Sequence, residues 1–145
     1  MEKISRNLHA KLQEMCDCYM DTDYLVEMKK PLTGQGADLE EDAIKYLALS
    51  ILETLTQKAY QLSVKKKKDK LKVAIALQHE KITLPSPAHE VGGKIFDIMR
   101  EITHLDKEKG ECPLALGLRS GRVDLQVKMK KKGDEESMKL LFPEL

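Results

Sequence analysis

The sequence has no tryptophan, two phenylalanines and four tyrosines, so it lacks the aromatic platforms on which single-stranded nucleic acid stacks. It has no apolar run near the roughly 18 residues of a membrane-spanning helix. Net charge is almost absent too, with 25 Lys and Arg against 24 Asp and Glu, which argues against a chain that is basic throughout. The start, "MEKISRNLHAKLQEM", threads charges through its apolar positions and has no continuous apolar segment of the signal-peptide kind. The expected location is the cytoplasm. Three cysteines, an odd number, then favour free thiols over a disulfide framework.

Catalytic and metal constellations are also missing. Cys16 and Cys18 lie two apart on a predicted helix, hence on different faces, and no second Cys or His pair stands at zinc spacing. His9, His79, His89 and His104 are scattered and read as surface or capping residues. The pairs Glu40-Glu41 and Glu135-Glu136 are adjacent in sequence, not set across a cleft as acid–base catalysis requires. "GQGADLEED" lacks the lysine and hydroxyl of a phosphate loop, and "EVGGKIF" lies inside an apolar-periodic helix with no strand before it. No cofactor and no metal are expected.

What is present is periodicity. Ile4, Leu8, Leu12, Met15 and Tyr19 mark one face of an amphipathic helix, with a further turn before Pro31. "PLTGQGADLEED" reads as a linker ending on Asp38 as N-cap. Residues 1–37 are therefore expected to be an N-terminal helix and linker, and 38–145 one α+β domain. Ala43, Leu47, Ile51, Leu55, Ala59 and Leu62 give a largely buried helix from Leu39 to about Leu62. The period then drops to two. Strands are predicted near Leu62 to Lys66, Leu71 to Leu77, Leu114 to Leu118, Arg122 to Lys130 and Ser137 to Phe142, with a brief one at "KITLP". Ser86 as N-cap and Pro87 at the first turn open a helix expected to run to Leu105, whose Gly92-Gly93 would admit a close backbone. The predicted fold is an antiparallel sheet of five to six strands with helices on one face.

The lysine runs, Lys65, Lys66, Lys67, Lys68 and Lys130, Lys131, Lys132 with Lys128, are a candidate interaction surface. Acidic neighbours at Asp69 and Asp134 to Glu136 favour the reading of solvated hairpin tips over a specific nucleic-acid site. The N-terminal helix has an apolar stripe that needs cover, from a subunit partner or from its own sheet.

The stretches "LALSILETLTQKAYQLSVKKKKDKLKVAIAL", "ITLPSP", "KIFDIMREITHLD", "ECPLALGL", "GRVDLQVKM" and "SMKLLF" follow the order of junctions in a known module. In that order the chain from Leu47 to Phe142 resembles the small domain preceding the motor in type II secretion and type IV pilus assembly ATPases. In that family the helix ending Leu-Asp leads to an elbow of paired arginines followed by Leu-Pro-Gln-Asp-Gly-Arg, whose cations reach nucleotide phosphates. Gapless alignment from Leu105-Asp106 puts Gly110 and Glu111 at the paired arginines, Cys112 at the leucine and Gly117 at the last arginine. Only Pro113 is kept. A glycine has no cation to offer and a carboxylate repels phosphate, so the elbow is expected to be a structural join without chemistry. The resemblance implies a non-catalytic protein-interaction or assembly module, with a protein partner or self-association through the N-terminal helix. A small-ligand-binding sensor of PAS-like shape is the alternative, because a sheet with helices on one face can enclose a pocket.

Overall fold

The computed structural model describes residues 7–30, 38–105 and 108–143. Its elements run α1 (Leu8–Tyr19), α2 (Tyr24–Lys29), α3 (Asp38–Gln57), β1 (Gln61–Lys67), β2 (Lys70–Ala76), β3 (Lys81–Thr83), α4 (His89–Thr103), β4 (Lys109–Leu118), β5 (Gly121–Lys132) and β6 (Glu135–Leu141). All six strands pair antiparallel in one sheet of order β3-β2-β1-β6-β5-β4. Two three-stranded meanders thus meet where β1 pairs with β6, and α4 carries the chain from one edge of the sheet to the other. The four helices pack together against one face, which is the α+β arrangement expected from the alternation of periods.

Each meander is made by tight turns. Lys67 pairs with Lys70 around Lys68-Asp69, and Lys132 pairs with Glu135 around Gly133-Asp134. Lys68 at φ 39° and Gly133 at φ 59° take the left-handed conformation that two-residue hairpins favour. Along the strands, Leu62, Val64, Val73, Ile75, Leu125, Val127, Met129, Met138 and Leu140 turn to the helices and are buried.

Helix α3 is the hub. It touches α1, α2, α4 and β1, so Tyr46, Leu49 and Leu52 are as buried as the stripe of Ala43, Leu47 and Ile51. Its inner hydroxyls stay within the helix: Ser50 donates to the Leu47 carbonyl at 2.8 Å and Thr54 to the Ser50 carbonyl at 2.7 Å. The buried Tyr46 hydroxyl donates to the Pro85 carbonyl, tying the Leu84-Pro85 junction to α3, and burial pushes its pKa up. Phe96, Ile95, Ile98 and Met99 of α4 complete the filling between helices and sheet.

The apolar stripe of α1 is covered by its own chain. Leu8, Leu12 and Cys16 are buried in the common core, and α1 packs on α3. The neighbouring line of side chains straps the outer edge of β4. His9 Nε2 donates to the Ala115 carbonyl at 2.6 Å, Gln13 Oε1 accepts from the Gly117 amide at 2.7 Å, and Asp17 Oδ1 accepts from the Arg119 amide at 2.8 Å. The match is geometric: four residues of helix rise about 6 Å and two residues of strand about 6.7 Å. Helix positions four apart therefore meet strand positions two apart, and edge groups open to another chain are satisfied internally.

Four expectations need correction. Helix α3 stops at Gln57, short of Leu62: Lys58 is left-handed at φ 58°, and the amides of Lys58 and Ala59 bond to the carbonyls of Leu55 and Thr54. This is a Schellman-type stop made by a lysine, so no glycine announces it. Helix α4 starts at His89 with Ala88 as N-cap, and Ser86, instead of capping, donates its hydroxyl to the Leu71 carbonyl at 3.1 Å. The close approach at Gly92 is made by a side chain, since a Cβ there would lie 2.5 Å from Leu71 Cδ2. Finally, Gly110 to Pro113 form no elbow. They belong to β4, which starts at Lys109 and pairs with β5 through all ten residues. Pro113 has the parity of Ala115 and Gly117, whose backbone groups point away from β5, so its missing N–H falls on the outer edge and breaks no ladder bond. Ile4, the segment 31–37 and Asp106 lie outside the described residues.

Candidate functional site

Every second residue of each strand points away from the helices. Reading across the sheet in register, the row nearest the hairpin tips holds Lys70, Lys67, Glu135 and Lys132. The next holds Lys72, Lys65, Ser137, Lys130 and Lys109. A third contributes Lys139, Lys128 and Glu111. All nine lysines are exposed. At about 4.8 Å between strands and 6.7 Å between rows, the field covers about 19 by 13 Å. Within it stand two carboxylates, and Glu111 already accepts a hydrogen bond from Gln126 at 2.9 Å.

Four lysine pairs sit directly opposite one another in the ladders: Lys65 and Lys72, Lys67 and Lys70, Lys109 and Lys130, Lys128 and Lys139. Like charges so placed destabilise a sheet. None of the nine forms an ion pair among the described residues. On the helical side, by contrast, Lys11 meets Glu40, Lys30 meets Glu27 at 2.8 Å, and Lys45 meets Glu27 while standing 5.0 Å from the Tyr19 ring centre. The near-zero net charge is thus a sum of two opposed layers. Between Leu8 and Gln57 the sequence has ten acidic residues against Lys11, Lys29, Lys30 and Lys45.

The two predicted lysine runs come together because β1 and β5 both flank β6. They do not act as one set. Lys65, Lys67, Lys130 and Lys132 belong to the open face, while Lys66 and Lys131 point to the helix side and Lys68 is in a turn. Lys66 lies 3.9 Å from Glu136, which is buried and held by Arg100 of α4, whose Nε donates at 3.0 Å. Arg100 also donates to the Leu105 carbonyl at 3.3 Å, so this ionic cluster binds the end of α4 to the central strand β6. Glu136 therefore offsets none of the charge on the open face, and Asp69 and Asp134 are confined to the turns. The lysines of β2 and β4, Lys70, Lys72 and Lys109, and Lys139 of β6 were not marked by the lysine runs: Lys72 and Lys139 stand singly between apolar residues, and Lys70 and Lys109 follow the acidic Asp69 and Glu108.

The elbow positions are divided between the faces. Glu111, Pro113 and Gly117 share the open side of β4, whereas Gly110 and Cys112 face the helices. A Cβ on Gly110 would lie 3.1 Å from Leu105 Cδ2, so the glycine leaves room for that leucine. Cys112 lies 3.9 Å from the Thr103 carbonyl, and burial raises its pKa. Cys16 is buried, and loss of solvation is the larger cause, with the Asp17 charge second, that pushes its thiol up to about 12; Cys18 is exposed. Among the described residues no group of three or more His, Cys, Asp and Glu is placed to hold a metal, and no helix is long and apolar enough to cross a membrane. His104 ends α4 in the left-handed conformation, a capping role, and His9 serves the strap. No family model matches the chain, and no curated protein matches it in sequence.

Proposed function

We propose that this chain is a non-catalytic interaction module and that its working surface is the open, lysine-bearing face of the sheet. The observation that carries this reading is the set of four directly opposed lysine pairs. A surface that lowers the stability of its own sheet is explained if an anionic partner neutralises it. Kinship with the N-terminal domain of secretion and pilus ATPases is part of the proposal. It is supported by the succession of α3, β1, β2, a short β3 followed by Leu84-Pro85, α4 and a closing meander. It is weakened by the strand that replaces the elbow. With glycine and glutamate at the arginine positions, ATP is not a substrate of this module.

Two measurements test the reading. Retention on immobilised heparin should fall to markedly lower salt for Lys65→Glu/Lys130→Glu than for the parent, and equal elution of the two proteins would refute the assignment of the surface. Calorimetric titration with ATP and magnesium, together with phosphate release, should show neither tight binding nor turnover. Turnover abolished by one substitution would overturn the non-catalytic reading.

A further inference from the structure

We infer that the partner of this face is the sugar-phosphate backbone of a nucleic-acid duplex, held without reading its sequence. The inference rests on the open face being the working surface, and it follows from the shape and chemistry of the lysine field.

The field is two-dimensional. An extended acidic peptide presents its carboxylates in a line, about 6.7 Å apart, and meets one row or one strand of lysines while leaving the others opposed. A duplex carries one phosphate charge per about 1.7 Å of axis, in two backbones that border a minor groove about 6 Å wide. Over the roughly 19 Å width of the field it offers about eleven phosphates, around half of them on the facing side. That suffices for the opposed pairs Lys65–Lys72 and Lys109–Lys130 to be neutralised at once.

The side chains argue for backbone contact alone. A lysine is a point charge that meets a phosphate in many orientations, whereas base edges are read by the forked guanidinium or by amides. The one arginine on this face, Arg122, lies outside the field and is engaged by Asp124 at 2.8 Å. No phenylalanine or tyrosine occupies an outward position of any strand, so unstacked bases find no platform, which disfavours single strands. The apolar side chain within the field, Ala74, is short and 2% exposed, so nothing there enters a lipid headgroup layer and a bilayer would offer charge attraction alone.

The test uses the full chain and fluorescence anisotropy with two labelled 20-base-pair duplexes of unrelated sequence, a single strand of equal length, a polyglutamate peptide, and co-sedimentation with phosphatidylserine vesicles. The expected result is micromolar binding to both duplexes, equal within about threefold, with affinity falling steeply as salt rises. Lys65→Gln/Lys130→Gln should weaken duplex binding tenfold or more at low salt and lower the log–log salt slope by about two, near one for each phosphate left without its lysine. Lys29→Gln/Lys30→Gln, on the helical side, should change neither. Melting curves establish that each variant is folded. Polyglutamate, vesicles or the single strand bound more tightly than the duplex would overturn this inference and leave the interaction surface standing. Failure of every probe to bind would overturn both, and a strong preference between the two duplexes would refute backbone-only recognition.

Discussion

The side chain of Gln13 accepts the amide hydrogen of Gly117 at 2.7 Å, across a separation of 104 residues in sequence. With His9 and Asp17 one turn to either side, it makes α1 the guard of the sheet's long outer edge. The opposite edge is guarded differently, by β3 being three residues long. Replacing all three strap residues, in His9→Ala/Gln13→Ala/Asp17→Ala, should cost about 1 kcal/mol for each hydrogen bond removed and leave β4 able to pair with another copy. Chemical denaturation measures the first effect and concentration-dependent gel filtration the second. A variant as stable as the parent and monomeric at all concentrations would show the strap to be incidental.

Relief of charge repulsion makes the opposite kind of prediction. Lys72→Thr removes one member of the Lys65–Lys72 pair and puts a β-branched residue on the strand, so it should raise stability by about 0.2–1 kcal/mol at low salt. The gain should shrink in 1 M salt, where the Debye length is about 3 Å. A loss of stability at low salt would mean that the lysine stem contributes packing that outweighs its charge.

Ile98 is 1% exposed between α4 and the sheet. Ile98→Asp should cost several kcal/mol, about 3 or more, by placing an unpaired carboxylate among apolar side chains. Its melting temperature relative to the parent is the check, and a shift of only a degree or two would contradict the packing of α4.

The cysteines predict both reactivity and a pH dependence. A thiol reagent should modify exposed Cys18 first, half-buried Cys112 more slowly, and Cys16 only as the chain unfolds. Because the folded-state pKa of Cys16 is raised from 9.0 to about 12, the unfolded chain gives up that proton more readily. The associated stability is complete below pH 9 and lost as pH rises from there towards 12. Cys16→Ala should be less stable at neutral pH, through a small cavity, yet lose less on going from pH 8 to pH 11. Parallel stability curves for the two proteins over that range would contradict the burial of the thiol.

Much of the fold was legible because the change from a period near 3.6 to a period of two falls where the turn residues stand. The start of β4 was hidden by Gly110 and Pro113, which read as breakers; Pro113 is harmless on an edge because its missing N–H falls on the outward side, and Gly110 pairs with Met129 like any strand residue. The strap was hidden as well: His9, Gln13 and Asp17 look like an ordinary wet helix face until β4 is placed beside them. The candidate surface was only half visible. Lysine runs stand out in a sequence, but register decides which of their members share a face, and Lys72, Lys109 and Lys139 join the field only through pairing across strands. Acidic neighbours in sequence implied neutralisation, but register divides them: Glu135 stands in the field opposite Lys67 and Lys132, whereas Glu136 turns inward to Arg100.

Segregation of charge between the layers gives the protein a large electric dipole and almost no monopole. A potential set by net charge reaches farther than a dipolar one, so a distant polyanion exerts little pull on this molecule. At closer range the field applies a torque, turning the sheet toward the polyanion and the helices away. At physiological ionic strength, with a Debye length of about 8 Å, this is an orienting force confined to the last stage of an encounter. The same polarity lets one protein, at one pH and near its point of zero net charge, adhere to cation- and anion-exchange resins alike, by opposite sides.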